Sequence, residues 1–234
     1  MRNNDPQLSL VIPVYNERGN TGPLLEEIET EMAGRIRYEV IVVDDASTDG
    51  TSIELAELTG THDCLTVLSH TANRGQSAAI HTGVRAARAP VIAVLDGDGQ
   101  NDPADVMKLF GRLYIGPAIR MVIGERRNRH DSWTRKFSSR IANGIRSYFL
   151  KDGIRDTGCG IKVFYRDDYL QLPAFDHMHR FVPALIQRQG GKVCTVAVNH
   201  RQRLRGRSKY GVGNRLWVGI VDVLGVMWLR HRML

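Results

Sequence analysis

The run Asp96-Gly97-Asp98-Gly99-Gln100-Asn101-Asp102-Pro103 sets two carboxylates two residues apart with a glycine between them. That spacing can turn oxygen ligands toward one hard divalent cation, which bridges a diphosphate while keeping positions open. An Asp-rich glycine turn also serves simply to reverse the chain, so the pair alone does not decide. A calcium loop of the EF-hand kind fits poorly, because its twelve-residue spacing and closing glutamate are absent. A second acidic pair, Asp44-Asp45, ends the apolar run starting at Tyr38. Two acids at the end of a buried strand are costly unless they meet a polar ligand or a helix N-terminus. Capping of the next helix by Ser47, Thr48 and Asp49 accounts for Asp49 but does not require the tandem acids.

Cations gather in the second half, in Gly124-Glu125-Arg126-Arg127, in Trp133 to Asn143, and in Arg201 to Lys209. Arginine suits phosphate because its planar fork bonds two oxygens at once, and a serine hydroxyl adds a third contact. Trp133, Phe137, Ile141 and Ile145 interleave with the second cluster, which leaves room for a lipid beside a phosphate. A solvated basic face is the plainer alternative there. The third cluster, taken alone, is a patch of the kind that binds nucleic acid without sequence preference. His177 and His179 have metal-like spacing, but two histidines without a third ligand nearby are weak evidence.

The elements that must carry these residues are legible in the apolar pattern. Strands are expected at LSLVIPV, YEVIVVDD, CLTVLSH and PVIAVLD, with helices at Gly22 to Gly34, Thr51 to Leu58 and Ser77 to Ala87 between them. Strand-length apolar runs separated by helices indicate βαβ crossovers and a parallel sheet. Continuous Val and Ile mark strands buried on both faces, and ligands bind at the carboxyl ends of such strands. The second half predicts a helix over Pro103 to Leu113, a strand MVIGE, a basic helix from Trp133 to Leu150 and a short strand within Thr157 to Tyr165. A helix around Pro183 to Gln189 and a strand KVCTVAVNH follow.

A chain of 234 residues, 42% hydrophobic, can bury one full core, and one globular domain is expected. A formal charge of +7 and a pI near 9.6 call for an anionic partner without choosing among nucleotide, phospholipid and nucleic acid. Cys64, Cys159 and Cys194 show no CxxC spacing, so a reducing compartment is the simple reading. The N-terminus has a strand pattern and lacks the layout of a signal peptide. The apolar stretch Leu216 to Leu229 is broken by Asp222 and falls short of the ~20 residues a spanning helix needs. Its tryptophans and the closing Arg230-His231-Arg232 suit an interfacial helix, a core-packing helix and a dimer contact about equally.

Four motifs in order, V-I-P-V-Y-N-E, V-V-D-D-A-S-T-D-G-T, N-R-G-Q-S-A-A-I from Asn73 and L-D-G-D-G-Q-N-D-P, resemble the nucleotide-binding half of family 2 GT-A glycosyltransferases. The second half resembles dolichol-phosphate mannose synthases and bacterial polyprenyl-phosphate sugar transferases. That likeness runs through Gly124 to Asn143, Asp156-Thr157-Gly158-Cys159-Gly160, His177 to Leu185, and the R-x-x-G-x-S-K loop ending at Lys209.

The resemblance implies an α/β GT-A (Rossmann-like) fold, its mostly parallel sheet flanked by helices, over residues 1–210. Residues 211–234 would be a small basic, amphipathic appendage at a membrane interface or packed on the domain. Pro13, Tyr15, Glu17 and Asp45 would line the base and ribose pocket, with Asp44 in support and the Gly75 turn approaching the nucleotide. A helix start needing positive φ explains Gly75 as well. Asp96 would sit against ribose and metal, Asp98 and Gln100 would hold Mg2+ or Mn2+, and Arg207 and Lys209 would close over the diphosphate. Arg126, Arg135 and Ser139 would take the acceptor phosphate, with Asp156, Gly158, His179 and Arg180 near the sugar. The implied reaction is inverting transfer of a hexose-type sugar from a UDP- or GDP-sugar to a polyprenyl phosphate. It would occur peripherally, at the cytoplasmic face of the cell membrane, without nucleic acid. A homo-oligomer is left open, and a non-lipid saccharide acceptor is the alternative.

The Glu-Asp base pair and the Q-x-x-R-W motif of processive relatives do not occur here. That fits a phosphate acceptor, whose second ionisation lies near pKa ~6. Such a nucleophile is already anionic at neutral pH, so positioning and charge neutralisation should dominate.

Overall fold

The computed structural model describes residues 5–126, 153–154, 156–202 and 221–229. Its centre is a seven-stranded sheet. Four strands, β1 (Leu8–Val14), β2 (Tyr38–Asp44), β3 (Leu65–Ser69) and β4 (Val91–Val94), run parallel in the order β3-β2-β1-β4. Beyond β4 come β6 (Lys162–Tyr165), β5 (Ile119–Arg126) and β7 (Lys192–Val198). Only β6 is antiparallel to its neighbours, so the sheet is mostly parallel, as expected.

Helices α1 (Thr21–Met32), α2 (Thr51–Thr59), α3 (Gln76–Ala86) and α4 (Pro103–Leu113) make the crossovers. The inner strands β1, β2 and β4 are buried on both faces, and alternate residues serve different cores. Leu8, Leu10, Ile12 and Val14 of β1 join α1 and α4 in one cluster. Val11 of the same strand joins α3 and the later helices in the other. On that second face α3 lies so close that a Cβ on Gly83 would meet Val11 at 2.5 Å. Helix α4 starts where expected because Asp102 accepts the Ala104 N–H at 3.1 Å and Pro103 occupies the first turn.

The short strand in the second half begins at Lys162, because Asp156 to Gly160 forms a turn. Two elements went unanticipated: α5 (Arg166–Leu170) and a single 3-10 turn at Met178–Arg180. Helix α6 (Val182–Arg188) follows. Residues 221–229 form a helix that sets Val223 and Val226 into the second core cluster. Its opposite side leaves Val221, Leu224 and Trp228 at 64%, 54% and 62% exposure. Among the described residues no helix is long and apolar enough to cross a membrane.

Candidate active site at the mouth of the sheet

The parallel strands deliver their polar ends to one edge. Leu95 donates its N–H to Val11 O at 3.2 Å, and the chain then leaves β4 as the Asp96 to Asp102 loop. Gly97 is required there, since a Cβ would meet Val14 Cγ1 at 2.5 Å. Gln76 Nε2, at the start of α3, donates to Asp96 Oδ1 at 2.8 Å. Burial and the neighbouring Asp98 push the Asp96 pKa up, while Lys162 and Arg126 pull against them. The Gln100 N–H donates to Asp98 Oδ1 at 3.1 Å. The Gln100 side-chain Nε2 donates to Arg201 O at 3.2 Å, which leaves Oε1 as its acceptor atom. Asn101 Nδ2 is buried without a hydrogen-bond partner among the described residues.

Facing this loop is a cationic wall built by β5, β6 and the Asp156 turn. Arg126 Nε and Nη2 fork onto Asp156 at 2.8 and 2.7 Å, with only 14% and 8% of the two side chains exposed. Gly158 lets the turn approach that guanidinium, since its Cβ would lie 3.3 Å from Arg126 Nη2. Lys162 is 7% exposed, donates Nζ to Cys159 O, and has its pKa pushed down by burial. His179 sits on the 3-10 turn with Nδ1 2.7 Å from Ser77 Oγ. Burial, then Lys162 and Arg180, lower its pKa well below the ordinary value, so the ring is neutral. The serine hydroxyl accepts the His179 N–H at 3.2 Å and can give its own proton to Nδ1, which puts the ring proton on Nε2. Half-buried Arg180 follows, and His177, at φ 61°, pairs with Asp222 at 3.2 Å.

The first two strand ends make the third side. Asp44 is buried and accepts the Ser47 N–H at 3.0 Å and the Ser52 hydroxyl at 2.7 Å, tying the loop to α2. Asp45 accepts the Arg74 and Gly75 N–H groups at 2.9 and 2.7 Å, and His70 Nδ1 lies 2.7 Å away. The tandem acids therefore brace the surrounding chain directly, beyond the capping by Asp49, which accepts the Thr51 N–H at 3.0 Å. Glu17 is buried and accepts from Asn20 Nδ2 at 2.8 Å. Pro13 is half-buried and Tyr15 exposed at the edge. Gly75 adopts φ 85°, and Ala46 adopts φ 63°, a strained choice for a residue with a Cβ.

Asp96, Asp98, Gln100, Arg126, Asp156, Gly158, His179 and Gly75 thus come to one side of the sheet, with the Asp44-Asp45 loop beside them. Arg135, Ser139, Arg207 and Lys209 lie outside the described residues. The start of the basic Arg201 loop is stitched to the acidic loop. Arg201 N–H donates to Gln100 O at 2.9 Å, and its guanidinium reaches Glu27 at 2.6 Å and Asp102 at 3.1 Å. Lys162, Gln76, Ser77, Asn101 and His70 went without roles in the sequence. Gln76 and Ser77 lie inside the quoted N-R-G-Q-S motif, and His70 ends a strand. Those are the signals that could have found them.

A mostly parallel sheet with paired acids at its mouth and an antiparallel β6 beyond β4 has the architecture of the GT-A fold. The chain belongs to glycosyl transferase family 2, whose model matches residues 9–172. It is 35% identical over 234 residues to a dodecaprenyl-phosphate galacturonate synthase of Rhizobium johnstonii, covering 96% of this chain and 69% of that one. It is 33% identical over 219 residues to an undecaprenyl-phosphate 4-deoxy-4-formamido-L-arabinose transferase of Aeromonas hydrophila, covering 91% of this chain and 65% of that one. In fold it is similar to glucosyl-3-phosphoglycerate synthase from Mycobacterium tuberculosis, solved with Mn2+, UDP and phosphoglyceric acid. The TM-score is 0.74 at 20% identity, over 98% of this chain and 80% of that one. A mannosyltransferase from Pyrobaculum calidifontis, solved with GDP-Man and Mn2+, gives 0.66 at 20% identity, over 98% and 65%.

Proposed function

We propose that this chain transfers a glycosyl group from a nucleoside-diphosphate sugar to a polyprenyl phosphate, with inversion at the anomeric carbon. The observation that carries the reading is the pairing of the two charged walls. Gly160, between the Asp156 turn that holds Arg126 and the strand that starts at Lys162, lies against the Asp96 carboxylate, so a donor diphosphate at the acids and a phosphate at the cations would be neighbours. The relatives' names supply the acceptor class, polyprenyl phosphate.

Mg2+ or Mn2+ fits the donor set. Asp98 and the Gln100 Oε1 are hard oxygen ligands, with Asp96 behind them. Burial and Asp98 push the Asp96 pKa up, and a divalent cation beside the pair would favour its charged form. When bound, the ion would neutralise charge on the leaving diphosphate. Asn101 Nδ2, a buried donor, suits a diphosphate oxygen. Pro13, Tyr15, Glu17 and Asp45 would line the base and ribose pocket, with Asp44 in support. Lys209 and Arg207 would close over the diphosphate.

On the acceptor side Arg126, held by Asp156, would orient the lipid phosphate with Arg135 and Ser139. His179, with a neutral ring and its proton on Nε2, would donate to the sugar beside Arg180 and Gly158. An anionic phosphate needs no strong protein base, so the described residues are asked for alignment and charge. The exposed apolar side of helix 221–229 would rest on the membrane surface. Incubating the purified protein with UDP- and GDP-sugars, Mn2+ and either undecaprenyl phosphate or a free saccharide separates the acceptors. A glycosylated lipid is expected; transfer to the saccharide alone would replace this reading with a soluble-acceptor transferase.

A further inference from the structure

His70 follows β3 and is enclosed with Asp45, their side chains 7% and 5% exposed. Its Nδ1 lies 2.7 Å from Asp45 Oδ1 and its Nε2 2.9 Å from Thr82 Oγ1 on α3. Asp45 uses its other acceptor positions on the Arg74 and Gly75 N–H groups, at 2.9 and 2.7 Å, while Asn73 Nδ2 donates to the Asp45 carbonyl at 3.3 Å. At least three of the roughly four lone-pair sites of the carboxylate are therefore taken by the chain itself. What Asp45 holds is the Asn73 to Gly75 turn, which opens directly into α3. The first two side chains of that helix are Gln76, on Asp96 Oδ1 at 2.8 Å, and Ser77, on His179 Nδ1 at 2.7 Å.

We infer that His70 is a positioning residue for nucleotide-sugar binding, clamping Asp45 so that the Asn73 to Gly75 turn aims Gln76 and Ser77 at the two sides of the site. The role rests on the donor reading above. Thr82 fixes the far side of the ring, so the imidazole is held at both nitrogens and cannot swing away from Asp45. Removing the imidazole leaves a buried carboxylate one donor short and frees the turn, a penalty that falls on a ligand needing the turn in place.

Calorimetric titration of UDP and of GDP, each with Mn2+, into the wild type, His70→Leu, His70→Asn and Thr82→Val tests this, with thermal melts alongside. For whichever nucleotide the wild type binds, His70→Leu should raise Kd about tenfold or more, the scale of one charge-assisted hydrogen bond. His70→Asn, whose amide can stand at the Nδ1 position, should recover to within about threefold of wild type, and Thr82→Val should fall between. Unchanged Kd in a folded His70→Leu, with only a lower Tm, would overturn the inference and leave His70 a packing residue. Should His70→Leu not fold, His70→Asn against His70→Ser makes the same comparison, because serine is too short to reach Asp45. A wild type that binds neither nucleotide overturns the donor reading itself, and this inference with it.

Discussion

Gly160 presses its Cα against the carboxylate of Asp96: a Cβ there would overlap Asp96 Oδ2 and meet Asn101 Nδ2 at 2.5 Å. The turn from Asp156 to Gly160, which carries the partner of Arg126, is thereby locked against the acidic loop. Gly160→Ala must push the two apart. It should cost about 1–3 kcal/mol of stability through overpacking and reduce turnover at least tenfold. Chemical denaturation and a transfer assay check both; a variant with wild-type kcat would show that the two walls do not need this contact.

His179 gives the fold an acid sensitivity whose sign follows from its lowered pKa. The folded state binds fewer protons than the unfolded state wherever pH lies between the depressed value and the ordinary 6.5. Stability is therefore level above about pH 6.5 and falls as pH drops below it. Between pH 7.5 and 5.5 the wild type should lose about 1 kcal/mol more than His179→Gln, as urea unfolding would measure. Equal losses would mean the ring is protonated as easily in the fold as outside it.

The helix at 221–229 is pinned by Val223 and Val226 and shows Val221, Leu224 and Trp228 to solvent. Replacing those three with Ser, Ser and Gln should leave the Tm within a few degrees, since exposed positions contribute within about 0.5 kcal/mol each. Co-sedimentation with anionic vesicles should weaken at least tenfold, because each large side chain is worth about 1.5–3 kcal/mol when fully buried in an apolar phase. Undiminished vesicle binding would move the membrane contact elsewhere.

What the sequence made legible, and what it hid, divides along physical lines. Buried parallel strands announce themselves as apolar runs, so Asp44-Asp45 and Asp96 to Asp98 could be placed at strand ends before any fold was known. The bounds of α4 were readable because Asp102 and Pro103 are a local capping signal. The helix Arg166–Leu170 and the turn Met178–Arg180 are too short to show a helical period. The antiparallel direction of β6 is set by its neighbours and by nothing in its four residues. Pairings such as Asp45 with His70, 25 positions apart, or Ser77 with His179, 102 positions apart, exist only once the crossovers are made. Lys162 hid for a related reason: a lysine in a strand reads as an edge or solvent residue, and here it is buried and close enough to act on the Asp96 charge.

The most direct test is Mn2+-dependent transfer by the wild type and by Asp98→Ala, with a nucleotide-sugar donor and undecaprenyl phosphate as acceptor, followed as lipid-linked sugar. Loss of that carboxylate should lower kcat by roughly a hundredfold or more, on the scale of removing one preorganised electrostatic contact to the leaving group, and should weaken the Mn2+ dependence of what activity remains. Turnover by Asp98→Ala near the wild-type rate, with unchanged Mn2+ dependence, would contradict the assignment of the acidic loop as the donor diphosphate site.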